Sequence, residues 1–168
     1  MTFEKAIEYV GLEEGGFSLN KKDKGNYTPS GELKGTKYGI SAKSYPNLDI
    51  KNLTWEKAQG IYLRDFWNKY SVNSFPPGIR LYLLDSIINH GPANGIKILQ
   101  TAAGVKADGI LGAVTLANGQ KINAYDFAFA RSDFYVGIVK RDISQLEFLK
   151  GWARRNLKIL EISIREGI

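Results

Sequence analysis

The chain has 168 residues, is 43% hydrophobic and 24% charged, and carries a formal net charge of +6, a size and composition that fit one globular domain or one body with two lobes. It has no cysteine and a single histidine, His90, which excludes disulfides and thiolate metal sites and leaves no His-rich metal cluster or Ser-His-Asp triad to argue from. No apolar run reaches transmembrane length, and the positive balance suits an anionic partner: nucleic acid, a membrane surface or an anionic wall polymer.

The first residues, Met1-Thr2-Phe3-Glu4-Lys5, open a charged amphipathic pattern at once and lack the shape of a signal peptide. At about 100° per residue, Phe3, Ile7, Val10 and Glu14 share one stripe of a helix over 2–14. Glu13 falls off that stripe, beside Ala6 and Tyr9. A carboxylate on the buried side of a helix is costly to ionise, and the helix C-terminus, the negative end, adds to the cost. A carboxyl group that keeps its proton near neutral pH can serve as a general acid. The plain alternative is a solvated helix end capped by Gly15 and Gly16.

Residues 15–40 break the helical period with glycines at 15, 16, 25, 31, 35 and 39 among Asn, Asp, Ser, Pro and Lys. This composition predicts loops and short hairpins, and Phe17, Tyr27 and Tyr38 argue for an ordered segment. Asp23 and Thr28 then offer a second carboxylate and a hydroxyl on a loop facing the helix-terminal Glu14. Glycosidic-bond cleavage needs one protonated carboxyl for the leaving oxygen and one ionised group to stabilise the cation or activate water. By spacing alone that is a weak signal.

Thr54 is placed to cap a helix from Trp55 to about Tyr70, and Pro76-Pro77-Gly78 breaks the chain. A strongly apolar helix over about 79–89 is expected at the core, with Gly91-Pro92 closing it and opening the next, 92–103. Residues 104–109 read as a turn, and a short helix follows at 113–120. An aromatic-rich helix spans 123–143, and Ser144 with Glu147 fits a capping box for a last helix over 145–165. The expected fold is predominantly α, of α+β type, with one loop or short β-hairpin excursion at about 15–40.

Glu14-Gly15-Gly16-Phe17, Asp23-Lys24-Gly25 and Gly35-Thr36-Lys37-Tyr38-Gly39-Ile40 resemble, in order, the motifs of the family 108 glycoside hydrolases, N-acetylmuramidases of the phage endolysin type. Asp85, Asn89-His90-Gly91, Leu99-Gln100, Asp108 to Gly112, Thr115-Leu116 and Gly151-Trp152 with Arg154-Arg155 resemble the peptidoglycan-binding domain that accompanies them. The resemblance implies a lysozyme-like fold, with a catalytic region at 1–75 and a wall-binding helical region at 76–168. It implies hydrolysis of the β-1,4 bond between N-acetylmuramic acid and N-acetylglucosamine in bacterial peptidoglycan, with no metal or cofactor.

Glu14 maps onto the family's catalytic acid, the residue the helical stripe also selects. Asp23 is expected to stabilise the cationic transition state or orient water. Spacing from Glu14 selects Thr28 as the water-holding hydroxyl, while the following Gly-Ile, which restarts a helix in the family pattern, selects Thr36; both stay open. Tyr38, Asn89 and His90 are the further expected substrate contacts. Trp67 could stack on a sugar or sit in the core, and Asp108-Gly109 could bind the wall or form an ordinary turn. About eight residues, 29–34 among them, are inserted relative to the family pattern and are expected to extend the hairpin.

The expected partner is peptidoglycan, without nucleic acid or stable membrane insertion, and the expected state is a monomer. The enzyme is expected in the host bacterial cytoplasm before release to the wall. The rival readings are a non-catalytic peptidoglycan-binding protein, a lytic transglycosylase and, on charge alone, a helical nucleic-acid binder.

Overall fold

The computed structural model describes residues 1–11 and 16–167. The chain forms two compact units, one of residues 7–65 and one of Met1–Ala6 together with the chain from Phe66 onward. The fold is predominantly helical, as the periodicity predicts.

Helix α1, Phe3–Gly11, buries Phe3, Ala6, Ile7 and Val10, so the described part of the predicted stripe is the buried one. A two-stranded antiparallel hairpin, β1 (Thr36–Lys37) and β2 (Ile40–Ser41), supplies the β excursion. Its two turn residues, Tyr38 and Gly39, both take positive φ, 50° and 73°. That pairing matches the right-handed twist of the strands it joins. Gly39-Ile40 therefore opens a strand and does not restart a helix; the next helix, α2 (Trp55–Tyr62), begins only after an irregular stretch. At Gly35 a Cβ would stand 2.5 Å from the Ser18 carbonyl oxygen, so only glycine permits the bridge between Ser18 and Thr36.

Thr54 caps α2 as expected, its side chain accepting from the Lys57 amide. The α-helix ends earlier than the sequence suggests, however, because Leu63–Asn68 winds as a π-helix. Within it Asp65 accepts from the Tyr45 hydroxyl (2.9 Å) and from Arg64 Nε (2.7 Å).

In the other unit, helix α3 (Pro77–His90) is buried along most of its length and packs against α4 (Pro92–Ala102), α6 (Ala124–Arg141) and α7 (Leu146–Gly167). A helix apolar all round must sit in a core; Leu81, Leu83, Leu84 and Ile87 are all within 1% of full burial. At Gly95 of α4 a Cβ would stand 2.7 Å from the Ile87 backbone nitrogen, so this glycine sets how closely α3 and α4 approach. The Tyr82 and Phe127 rings stack at 5.2 Å, and the Tyr82 hydroxyl donates to the Asn156 carbonyl at 2.8 Å. Trp67 is core: it is 4% exposed and meets Phe3 edge-on at 5.6 Å. The short α5, Ala113–Gly119, completes the helices.

Two caps differ from the sequence reading. Ser144 does not cap α7 through a box with Glu147; its hydroxyl donates to Asp142 (2.7 Å), which caps a 3-10 turn at Ile143–Gln145. The capping box stands instead at the start of α6, between Asn123 and Asp126.

Candidate functional site

Glu14 lies outside the described residues, as do Leu12, Glu13 and Gly15. The remaining expected residues of the first unit fall on the turn-rich segment that follows. Asp23 is exposed and caps a 3-10 turn at Lys24–Asn26, its Oδ1 accepting from the Gly25 amide at 2.8 Å. Asp23 is a short polar residue that satisfies a backbone donor two residues on, which is why the chain turns here. One carboxylate oxygen is thereby committed to the turn, and Lys22 and Lys24 flank it in sequence, both exposed.

Thr28 is buried and locally engaged. Its hydroxyl lies 2.9 Å from Ser30 Oγ and accepts from the Glu32 amide at 3.0 Å, and its own amide donates to the Glu32 carbonyl at 2.8 Å. The inserted residues 29–34 thus form a tight turn on Thr28, after which the amides of Lys34 and Gly35 both return to the Asn26 carbonyl at 2.9 Å. Thr36 is half-buried in β1, its backbone paired with Ser18. Tyr38, at the hairpin turn, is half-buried, meets Trp55 edge-on at 5.4 Å and accepts a 2.8 Å hydrogen bond from the Tyr62 hydroxyl at its carbonyl. The Lys37 ammonium lies 5.3 Å from the Tyr38 ring centroid. Beside this hairpin a cleft of about 400 Å³ is lined by Phe17, Leu19, Leu33, Lys34 and the loop 47–51. The insertion contributes Leu33 and Lys34 to it, and Lys34 Nζ is tied to the Pro46 carbonyl at 3.0 Å.

In the helical unit, Asn89 and His90 join a buried ionic cluster. The Asp85 carboxylate is ion-paired to Arg131 (2.5 Å) and to Arg155 (2.6 Å), and it accepts from Asn89 Nδ2 at 3.1 Å. Asp85 and Arg131 are almost wholly buried. Arg131 Nε donates to the Tyr135 hydroxyl at 2.6 Å, and that hydroxyl lies 3.4 Å from His90 Nε2. The His90 ring packs against Phe134 at 5.0 Å and Tyr135 at 5.5 Å. Burial first, and the Arg131 charge second, push the His90 pKa down to about 4, so the imidazole is neutral at pH 7. Burial likewise pushes the Tyr135 hydroxyl up. Asn89 is exposed, with its amide nitrogen held by Asp85.

The Asp108-Gly109 motif is a stapled turn. Gln100, 1% exposed, places Nε2 2.8 Å from Asp108 Oδ1 and 3.0 Å from both the Ile110 carbonyl and Thr115 Oγ1, while its Oε1 accepts from the Gly109 amide at 2.8 Å. The Asp108 carboxylate is held below its ordinary pKa by the Ile110 amide first and Gln100 second. Gly109 sits at φ 81°. Sequence reasoning missed Arg131, the second cation on Asp85. Its signal was present: a guanidinium inside the aromatic stripe of α6, four residues after Phe127 and four before Tyr135.

Comparison with known proteins bears on both units. A family model described as Glycosyl hydrolase 108 matches residues 7–91, and one described as Predicted Peptidoglycan domain matches residues 94–157. No curated protein matches the chain. Among solved structures, SagA of Brucella abortus is similar at 31% identity and a TM-score of 0.77, covering 98% of this chain and 95% of that one.

Proposed function

Because the chain belongs to the glycosyl hydrolase 108 family, a family of N-acetylmuramidases, we propose that Glu14 is the general acid with which it cleaves the β-1,4 bond of peptidoglycan. The observation that carries this reading is the match of residues 7–91, Glu14 among them, to the family model; the burial of Phe3, Ile7 and Val10 accords with the described part of the stripe read from the sequence. In this role Glu14 delivers a proton to the glycosidic oxygen as the bond to the anomeric carbon breaks. The anomeric carbon takes on oxocarbenium character and is then captured by water.

Asp23 is the second carboxylate of the proposal. With one oxygen fixed by the Gly25 amide, the other is free to face the developing cation or the attacking water. Of the two threonines, Thr36 suits the water-holding role better, because the Thr28 hydroxyl is already engaged by Ser30 and the Glu32 amide. Tyr38 offers a ring for an apolar sugar face, backed by Trp55. In the helical unit, Asn89 offers its side-chain carbonyl, its nitrogen being anchored on Asp85, and the neutral His90 ring packs beside Phe134 and Tyr135. The formal charge of +6 favours accumulation on an anionic wall. As part of the same proposal the protein acts as a monomeric phage endolysin, made in the host cytoplasm and reaching the wall once the membrane is breached.

Muropeptide analysis tests the reading. Purified sacculi digested by the wild type should release fragments ending in reducing N-acetylmuramic acid, and Glu14→Gln should release none while still sedimenting with the wall. Fragments ending in 1,6-anhydro sugars would replace hydrolysis by a lytic transglycosylase reaction, and wall binding without any release by the wild type would leave a binding protein.

A further inference from the structure

The helical unit carries a second cleft, of about 250 Å³, lined by the chain before and at the start of α3, by the start of α6, and by Ser163 and Ile164 of α7. Its volume lies below the roughly 300–1,000 Å³ of drug-sized pockets, so it accommodates one small group. Most of the lining is apolar, with Pro76, Ile79, Ile122, Ala124 and Ile164 contributing, and no Lys, Arg, Asp or Glu is part of it.

Two polar groups without a partner among the described residues meet this apolar space: a backbone amide and a hydroxyl. Helix α3, 14 residues long, starts without a side-chain cap. Pro77 has no N–H, so the first amide the helix presents is that of Gly78, with no partner inside the helix. Ser163 lines the same cleft, is 1% exposed, and its hydroxyl has no hydrogen-bond partner among the described residues. An unpartnered buried hydroxyl is destabilising, so its presence beside a cleft is unexplained by the fold. At the rim stands Tyr125, 53% exposed. The start of α6, in contrast, is closed to a ligand by the Asn123–Asp126 capping box, which also sets a carboxylate beside the cleft and disfavours an anion there.

We propose that this cleft binds the acetamido group of an N-acetylhexosamine, which makes it a wall-glycan contact separate from the residues assigned to hydrolysis. The methyl fills the apolar space, the acetamido carbonyl accepts from the Gly78 amide, and the acetamido N–H donates to Ser163 Oγ. The pyranose face rests on Tyr125. The choice of sugar class rests on the peptidoglycan reading; the choice of an uncharged acetamido group rests on the cleft itself.

Amide NMR titration of the full chain tests it, with free N-acetylglucosamine, N-acetylmuramic acid and unacetylated glucosamine as probes. Either acetylated sugar should shift the amides of Gly78, Ala124, Tyr125 and Ile164, the pair of arms showing which sugar seats better, and glucosamine should leave them in place. Ser163→Ala should bind about tenfold more weakly while its melting temperature stays level or rises, since the orphan hydroxyl is gone. Tyr125→Ala, on an exposed position, should weaken binding without loss of fold. Equal response to glucosamine, or affinity unchanged in both variants, overturns the proposal. Wall lysis by the same preparation is read separately: lysis without these shifts removes this cleft alone, and shifts without lysis remove the muramidase reading alone.

Discussion

The turn-rich segment of the first unit and the ionic cluster of the second both present polar residues in family order, yet they treat them oppositely. Asp23 is exposed and gives one oxygen to a turn. Asp85 is buried and shared between two guanidiniums and an amide. A carboxylate with every lone pair engaged by protein has no capacity left for substrate, whereas one fixed through a single oxygen is oriented and still available. Partner saturation, rather than residue type or order, separates the scaffold carboxylate from the one proposed for chemistry in this chain.

The sharpest way to break that contrast is to remove Asp85. Asp85→Ala leaves the buried Arg131 and the half-buried Arg155 without their shared anion, so the chain should lose about 3–5 kcal/mol, measured by urea unfolding; a loss under about 1 kcal/mol would contradict the buried pairing. Next in size is Gln100→Ala, which removes the side-chain partner of the Gly109 amide and of the buried Thr115 hydroxyl. It should cost about 1–3 kcal/mol in urea unfolding and leave wall binding by the folded variant unchanged, as a staple predicts and a wall ligand does not.

How far the sequence led depends on the same contrast. Helical periods located every long helix, because burying an apolar stripe is a local requirement written at spacing 3.6. They could not foretell that Leu63–Asn68 winds as a π-helix or that Ile40 starts a strand, since a short hairpin and a wide turn depend on partners distant in sequence. In the first unit, Asp23, Thr36 and Tyr38 were singled out by motif, and their roles belong to the proposal. Arg131 was not, because its meaning comes from Asp85, 46 positions away by number, and an Arg within an aromatic stripe reads as an exception until its partner is known. Thr28 and Thr36 were undecidable from spacing; the tight turn that engages the Thr28 hydroxyl is the reason the proposal prefers Thr36.

A smaller effect sharpens the comparison through pH. The folded pKa of His90 is about 4 against an ordinary value of 6.5. Between those values the unfolded chain binds more protons than the folded one, so stability held above pH 6.5 is lost as pH falls towards 4. The wild-type melting temperature should fall across that window, and His90→Gln should fall less; identical slopes would mean the ring is not held neutral. Smallest in stability is Asp23→Asn. Asn caps as well as Asp, so unfolding should shift by under about 0.5 kcal/mol, while hydrolysis drops by about tenfold or more if the carboxylate faces the developing cation. A stable variant with undiminished hydrolysis would move Asp23 to the scaffold.

The central claim is tested most directly by the initial rate of reducing-end release from purified peptidoglycan, compared between the wild type and Glu14→Gln at matched fold and wall binding. The account predicts a loss of about 10²–10⁴-fold in the variant with its melting temperature unchanged. A Glu14→Gln enzyme that cleaves within a few-fold of the wild type would contradict it.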